Sequence, residues 1–159
     1  MSARDRVIAY LLSYPGKLID KDELMVVSAG ADWLRHVADL RSLFGWSIYS
    51  GATIMHMAEG ARIARNKGEL ASIESAFGDP RSIDVDQHVL VRTYQDRGAA
   101  CRWYMLRDIK LRKRPAAARL LEYFRTNVGE QITCEELRYL TGSEWARRTL
   151  NSGPNKAGR

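Results

Sequence analysis

A helix-turn-helix pattern written twice limits the fold of this chain more than any other feature. The stretch "DELMVVSAGADWLRHV", Asp22 to Val37, returns as "EELRYLTGSEWARRTL", Glu135 to Leu150. Superposing the copies pairs Gly16 with Gly129, Ile19 with Ile132, Glu23 with Glu136 and Leu24 with Leu137, a constant offset of 113 residues. One residue is dropped in the turn, after which Trp33 meets Trp145, Arg35 meets Arg147 and His36 meets Arg148. The likeness reaches back into an apolar helix, where Tyr10 and Leu11 lie against Tyr123 and Phe124. Each unit therefore reads as helix, short link, helix, tight turn, helix. An offset this long in 159 residues favours two units over one.

Periodicity supplies the elements. Val7, Ile8, Leu11 and Leu12 recur at helical spacing from Arg4 to Tyr14, and "YPG" ends that helix. Leu18 and Ile19 make an extended link. Asp20 with Glu23 three residues on suggests a capping box, Gly30 is the candidate for positive φ in the turn, and Asp32 is placed to cap the third helix. In "WLRHVADLRSLF" the stripe Trp33, Val37, Leu40 and Phe44 faces the core, leaving Arg35, Asp39 and Ser42 outside. Gly45 stops the helix, and "WSIYS", Trp46–Ser50, alternates as a strand that "HVLVRTY", His88–Tyr94, can pair with antiparallel. Three helices followed by a two-stranded ribbon is the winged-helix plan, in which the third helix enters the major groove. Residues 51–87 form an insertion, helical between Met57 and Phe77 with a break near Gly68, and "FGDPRSID" is a loop.

Beyond the second strand, Ala99, Ala100, Trp103, Leu106 and Ile109 share one helical stripe that leads into the basic tract Lys110, Arg112, Lys113 and Arg114. The expected organisation is a first winged-helix unit over 1–95, a connecting helix and basic linker over 96–114, and a second unit over 115–159. After "WARRTL" the chain turns to "NSGPNKAGR", with neither apolar stripe nor strand, so the second unit is expected to be incomplete. The fold class is mainly α with a small β component.

Chemistry is constrained mostly by what does not line up. No apolar run reaches the roughly 18 residues a membrane span needs, the start is too broken by charge for a signal peptide, and a cytoplasmic protein is expected. Cys101 and Cys134 suggest neither a disulfide nor a zinc site, and are read as a buried small residue and a helix-start residue. His36, His56 and His88 are scattered, so no metal, no other cofactor and no catalytic residue is assigned. The formal net charge of +6 suits a polyanionic partner without proving one.

The tryptophans at the heads of the third helices are read as core residues, because the positions four and seven after Trp33 are apolar. The arginines are read differently. Arg35 and Asp39 are expected to face base edges, with Arg41 and Ser42 nearby on bases or backbone; Arg147 and Arg148 occupy the equivalent helix, and arginine is the side chain suited to guanine edges and phosphates. The tract Lys110, Arg112, Lys113 and Arg114 is either a solvated linker or a backbone contact.

The text "YFRTNVGEQITCEELRYLTGSEWARR" resembles the helix-turn-helix module in the N-terminal part of bacterial HNH-type restriction endonucleases, through Gly129, Glu135 to Leu140, Gly142 and Glu144 to Arg148. "LVRTYQDRGAACRWYMLRDI" and "RHVADLRSLFGW" are similar to neighbouring parts of that module. The resemblance implies recognition of double-stranded DNA. Cleavage is not carried over, because the nuclease motif with its metal-binding histidines is not found in this sequence, and a nuclease domain or subunit would be the expected partner. The alternative from the residues is a protein-interaction module docking onto a partner subunit.

Overall fold

The computed structural model describes residues 1–142. Three helices open it: α1 (Ala3–Ser13), α2 (Lys21–Ser28) and α3 (Trp33–Ser42). The strand β1 (Trp46–Ser50) follows, then α4 (Gly51–Ile63) and α5 (Lys67–Phe77), a single 3-10 turn at Pro80–Ser82, and β2 (His88–Gln95). The described part ends with α6 (Arg97–Leu111), α7 (Ala116–Thr126) and α8 (Cys134–Thr141). Among the described residues the fold is mainly helical with one two-stranded antiparallel sheet, as the periodicity requires.

The first unit closes on Val7, Leu11, Leu24, Trp33, Val37, Leu40, Ile48 and Leu90, one apolar cluster drawn from three helices and both strands. Trp33 lies in it at 8% exposure, its ring edge-on to His88 with centroids 5.4 Å apart. Ile48 opposes Leu90 and Ser50 opposes His88, and the register shifts between Trp46 and Ile48. The link residue Ile19 bridges to His88 through two backbone hydrogen bonds, of 2.8 and 3.0 Å, which ties the segment between α1 and α2 to the sheet. Gly45, at φ 73°, cannot be replaced cheaply: a side chain there would strike the Asp96 carbonyl carbon and oxygen, so the turn before β1 packs against the cap of α6.

Several local expectations are corrected. Phe44 is not core; α3 ends at Ser42, and the Phe44 ring is 37% exposed beneath the Arg4 guanidinium, 4.4 Å from its centroid. Asp20 and Glu23 form no capping box. The Asp20 carboxylate accepts from Gln87 at 2.7 Å, and Glu23 accepts from the Tyr10 hydroxyl at 2.7 Å, so tertiary partners win over the local motif. Asp32 makes no capping hydrogen bond to α3, and the left-handed residue of the turn is Ala29, φ 62°, not Gly30. Cys101 is exposed on α6, while Cys134 does begin α8.

The insertion is a helical layer. Its first helix starts directly at Gly51, capped by the Ser50 hydroxyl, and the break to α5 falls at residues 64–66, where Arg65 takes φ 54°, rather than at Gly68. Ile54, Ala58, Ala61, Ile73, Ile83 and Val89 give the layer its own core, which shares β2 with the first unit. The stretch that would be a protruding hairpin tip is thus folded back onto the sheet.

The second unit shares its core with α6: Trp103, Leu106 and Ile109 pack with Leu120, Tyr123, Leu137 and Leu140. The connecting helix is therefore part of that unit's interior. The repeat is legible in its contacts as well as its letters. Arg6 Nε donates to the Val27 carbonyl at 2.9 Å and Arg119 Nη1 to the Leu140 carbonyl at 3.2 Å, equivalent pairs at the 113-residue offset that satisfy the end of each second helix. Ala29 and Gly142, also equivalent, both end their helices with positive φ.

Candidate nucleic-acid interface

The buried stripe Trp33, Val37 and Leu40 fixes which side of α3 faces outwards. Arg35 is exposed and enters no ion pair among the described residues, and Asp39 and Ser42 are half-buried on the same side. A depression of about 270 Å³ lies beside them, lined by Ser2, Ala3, Arg4, Asp32, Arg35, His36 and Asp39. Arg4 was invisible as a site residue in the sequence, since only the packing of α1 against α3 brings it there. Two arginines, one histidine and two aspartates therefore ring one open surface, a mixed set able to donate to acceptor edges and to accept from amino groups.

Arg41 is elsewhere. It turns inwards from the last turn of α3, its side chain 14% exposed, with Nε donating to the Ile48 carbonyl at 2.9 Å and Nη2 lying 3.5 Å from Glu135 Oε1. Its guanidinium stands 5.8 Å from the centroid of Trp103. Desolvation pushes its pKa down, opposed by the Glu135 charge. The expectation that Arg41 reaches DNA is corrected: β1 and α8 enclose it.

The basic tract is largely committed within the chain. Arg112 contacts Glu122 at 2.7 Å and Asp108 at 3.3 Å, and Arg114 contacts Glu122 at 3.2 Å. Lys110 stands 4.2 Å from the Tyr139 ring centroid, and burial lowers its pKa. Lys113 is exposed, in a left-handed turn at φ 48°. As a continuous backbone-binding strip the tract is weakened, because two of its arginines answer neighbouring carboxylates. Arg147, Arg148 and Trp145 lie outside the described residues.

Buried charge was missed altogether. Arg102, 4% exposed, donates from Nε to Glu136 at 2.8 Å and lies 3.3 Å from Glu130 and 3.6 Å from Asp96. Glu136 also accepts from the Tyr123 hydroxyl at 2.5 Å and from the Thr133 backbone N–H at 2.6 Å, closing a capping box on α8. The Thr133-x-x-Glu136 spacing was the available signal. His88 is buried and its pKa is lowered to about 4, mainly by desolvation. His36 sits on α3, His56 on α4 and His88 on β2, and among the described residues no group of three potential ligands could hold a metal ion. No helix among the described residues is long and apolar enough to cross a membrane.

The described residues hold one complete three-helix unit with an arginine-bearing outer face and the first two helices of its second copy, and comparison with known proteins gives the class of protein. The chain is related to the N-terminal region of a restriction enzyme. Residues 4–91 and 117–150 match the family described as the KpnI N-terminal domain, and the chain belongs to that family. The match includes the 51–87 insertion, which the sequence resemblance left most open, and omits all of α6 and the basic tract. No curated protein matches, and no solved structure matches.

Proposed function

We propose that this chain is a sequence-specific binder of double-stranded DNA, the target-recognition portion of an HNH-type restriction endonuclease, acting through tandem winged-helix units and not itself cutting. The observation that carries the reading is α3: its apolar side is locked into the core, and its outer side carries Arg35, which enters no ion pair among the described residues, with Asp39 at the next turn. In this reading α3 lies in the major groove, Arg35 reads a guanine edge and Arg4 contacts a neighbouring phosphate. Arg147 and Arg148 play the same part in the second unit.

The test is selection of bound sequences from random duplexes, followed by incubation with magnesium or manganese. The expected result is an enriched sequence, binding that weakens steeply with salt, and no cutting. Arg35→Ala is expected to cost roughly 1–3 kcal/mol on the selected site and to relax preference at one base pair. Failure to enrich any sequence, or metal-dependent cutting lost on mutating one of the three histidines, overturns the reading. A second reading, a protein-docking module, is favoured by the exposed Leu121, Phe124 and Val128 of the second unit. It predicts a salt-insensitive partner contact instead.

A further inference from the structure

Among the described residues the two units are joined by apolar packing and by an ion pair between Arg41 and Glu135. At the 113-residue offset Glu135 corresponds to Asp22, which is exposed in the first unit and makes no ion pair there among the described residues. Past the dropped residue, Arg41 corresponds to Gly153. The carboxylate is common to both copies and the arginine is not, yet it is the second copy's carboxylate that meets Arg41 of the first.

Their surroundings make the pair directional. Arg41, from α3, is held by the β1 carbonyl of Ile48 and stands over Trp103 of α6. Glu135, from α8 and 8% exposed, accepts from the Ser50 backbone N–H at 3.2 Å and from the Thr53 hydroxyl, both at the junction of β1 with α4. One short bridge thus connects α3, the sheet, the insertion and the second unit. Across the same junction the apolar contribution includes Met57, which packs against both the insertion core and the second unit's core. Methionine packing adapts to small rotations, whereas a carboxylate shared among a guanidinium, an N–H and a hydroxyl does not. Buried ion pairs add little net stability but can select one geometry among several.

We propose that the Arg41–Glu135 bridge sets the orientation of the second unit relative to α3, and so determines which separation between two half-sites on duplex DNA the chain accepts. The DNA part rests on the function proposed above; the orientation part does not. Adding one base pair between half-sites rotates the second by roughly 35°, so a fixed orientation discriminates against it.

The experiment uses the full chain. Spin labels are placed on cysteines introduced at Ala38 in α3 and Arg125 in α7, in a Cys101→Ser background; Cys134 is half-buried, its thiol pushed up to about 11 by desolvation. The parent is expected to give one narrow distance. The double variant Arg41→Met/Glu135→Leu removes both charges, leaves none uncompensated, and is expected to broaden or shift that distance. Glu135→Gln keeps an acceptor for Ser50 and Thr53, serves where the double variant does not fold, and is expected to move it the same way. An unchanged distance in every folded variant overturns the proposal. On duplexes carrying two half-sites with spacers varied by single base pairs, the parent is expected to discriminate by about tenfold and the double variant by about threefold or less. Equal discrimination by both overturns the spacing role. A broadened distance in a chain that enriches no sequence overturns the DNA reading and leaves the orientation role standing.

Discussion

Tyr10 with Glu23 and Tyr123 with Glu136 are the same hydrogen bond written twice, and their settings differ completely. The first joins a half-buried tyrosine to an exposed carboxylate at 2.7 Å. The second is fully enclosed, and there the glutamate also neutralises Arg102 and caps α8. Water competes for the first pair and cannot reach the second. Burial also pushes the Tyr123 hydroxyl pKa up, with the Glu136 hydrogen bond adding to it. Identical local chemistry thus carries little weight in one unit and much in the other, because α6 contributes a buried cation only to the second.

The largest expected difference is the direct break of that comparison. Glu136→Ala leaves Arg102 with its best partner gone and should cost about 3–5 kcal/mol in denaturant unfolding, whereas Glu23→Ala should cost about 1 kcal/mol or less. Equal losses would mean that burial does not separate the pairs.

Acid should act first on the first unit. Folding holds His88 neutral against Trp33, its pKa depressed from 6.5 to about 4. The unfolded chain therefore binds the extra proton between these values, and stability contributed by the neutral ring is lost as pH falls through that window. The loss is about 3 kcal/mol at most, complete near pH 4. Hydrogen-exchange protection, corrected for the intrinsic rate at each pH, should fall in α3 before α8 on acidification, and His88→Phe should flatten the dependence. Equal loss of protection in both helices would place the acid sensitivity elsewhere.

The smallest effect sharpens the likeness instead. Arg6 and Arg119 make equivalent backbone contacts, so Arg6→Ala and Arg119→Ala should each cost about 1 kcal/mol and agree within error. A marked inequality in thermal or denaturant unfolding would show that the repeat is one of sequence more than of energetics.

Where residues answer to their own helix or strand, the sequence was sufficient. Period 3.6 placed Trp33, Val37 and Leu40 inside and Arg35 outside, alternation located the paired strands, and the stripe through Trp103, Leu106 and Ile109 identified α6. These are readings of a local repeat against an apolar interior, and that interior exists whichever element supplies it. Phe44 marks the limit: it continued the stripe, but α3 ended before it.

What only the tertiary structure decided is where charge is enclosed. Arg41 and Arg35 sit on one helix with the same side-chain chemistry, yet one is enclosed by β1 and α8 and the other is exposed. Its partner Glu135 lies far along the chain, so no local window contains both. Asp20 lost its capping role to Gln87 for the same reason. Periodicity tells which face of an element turns inwards; it does not tell what lies against that face, and the cost of burying a charge depends on the partner found there.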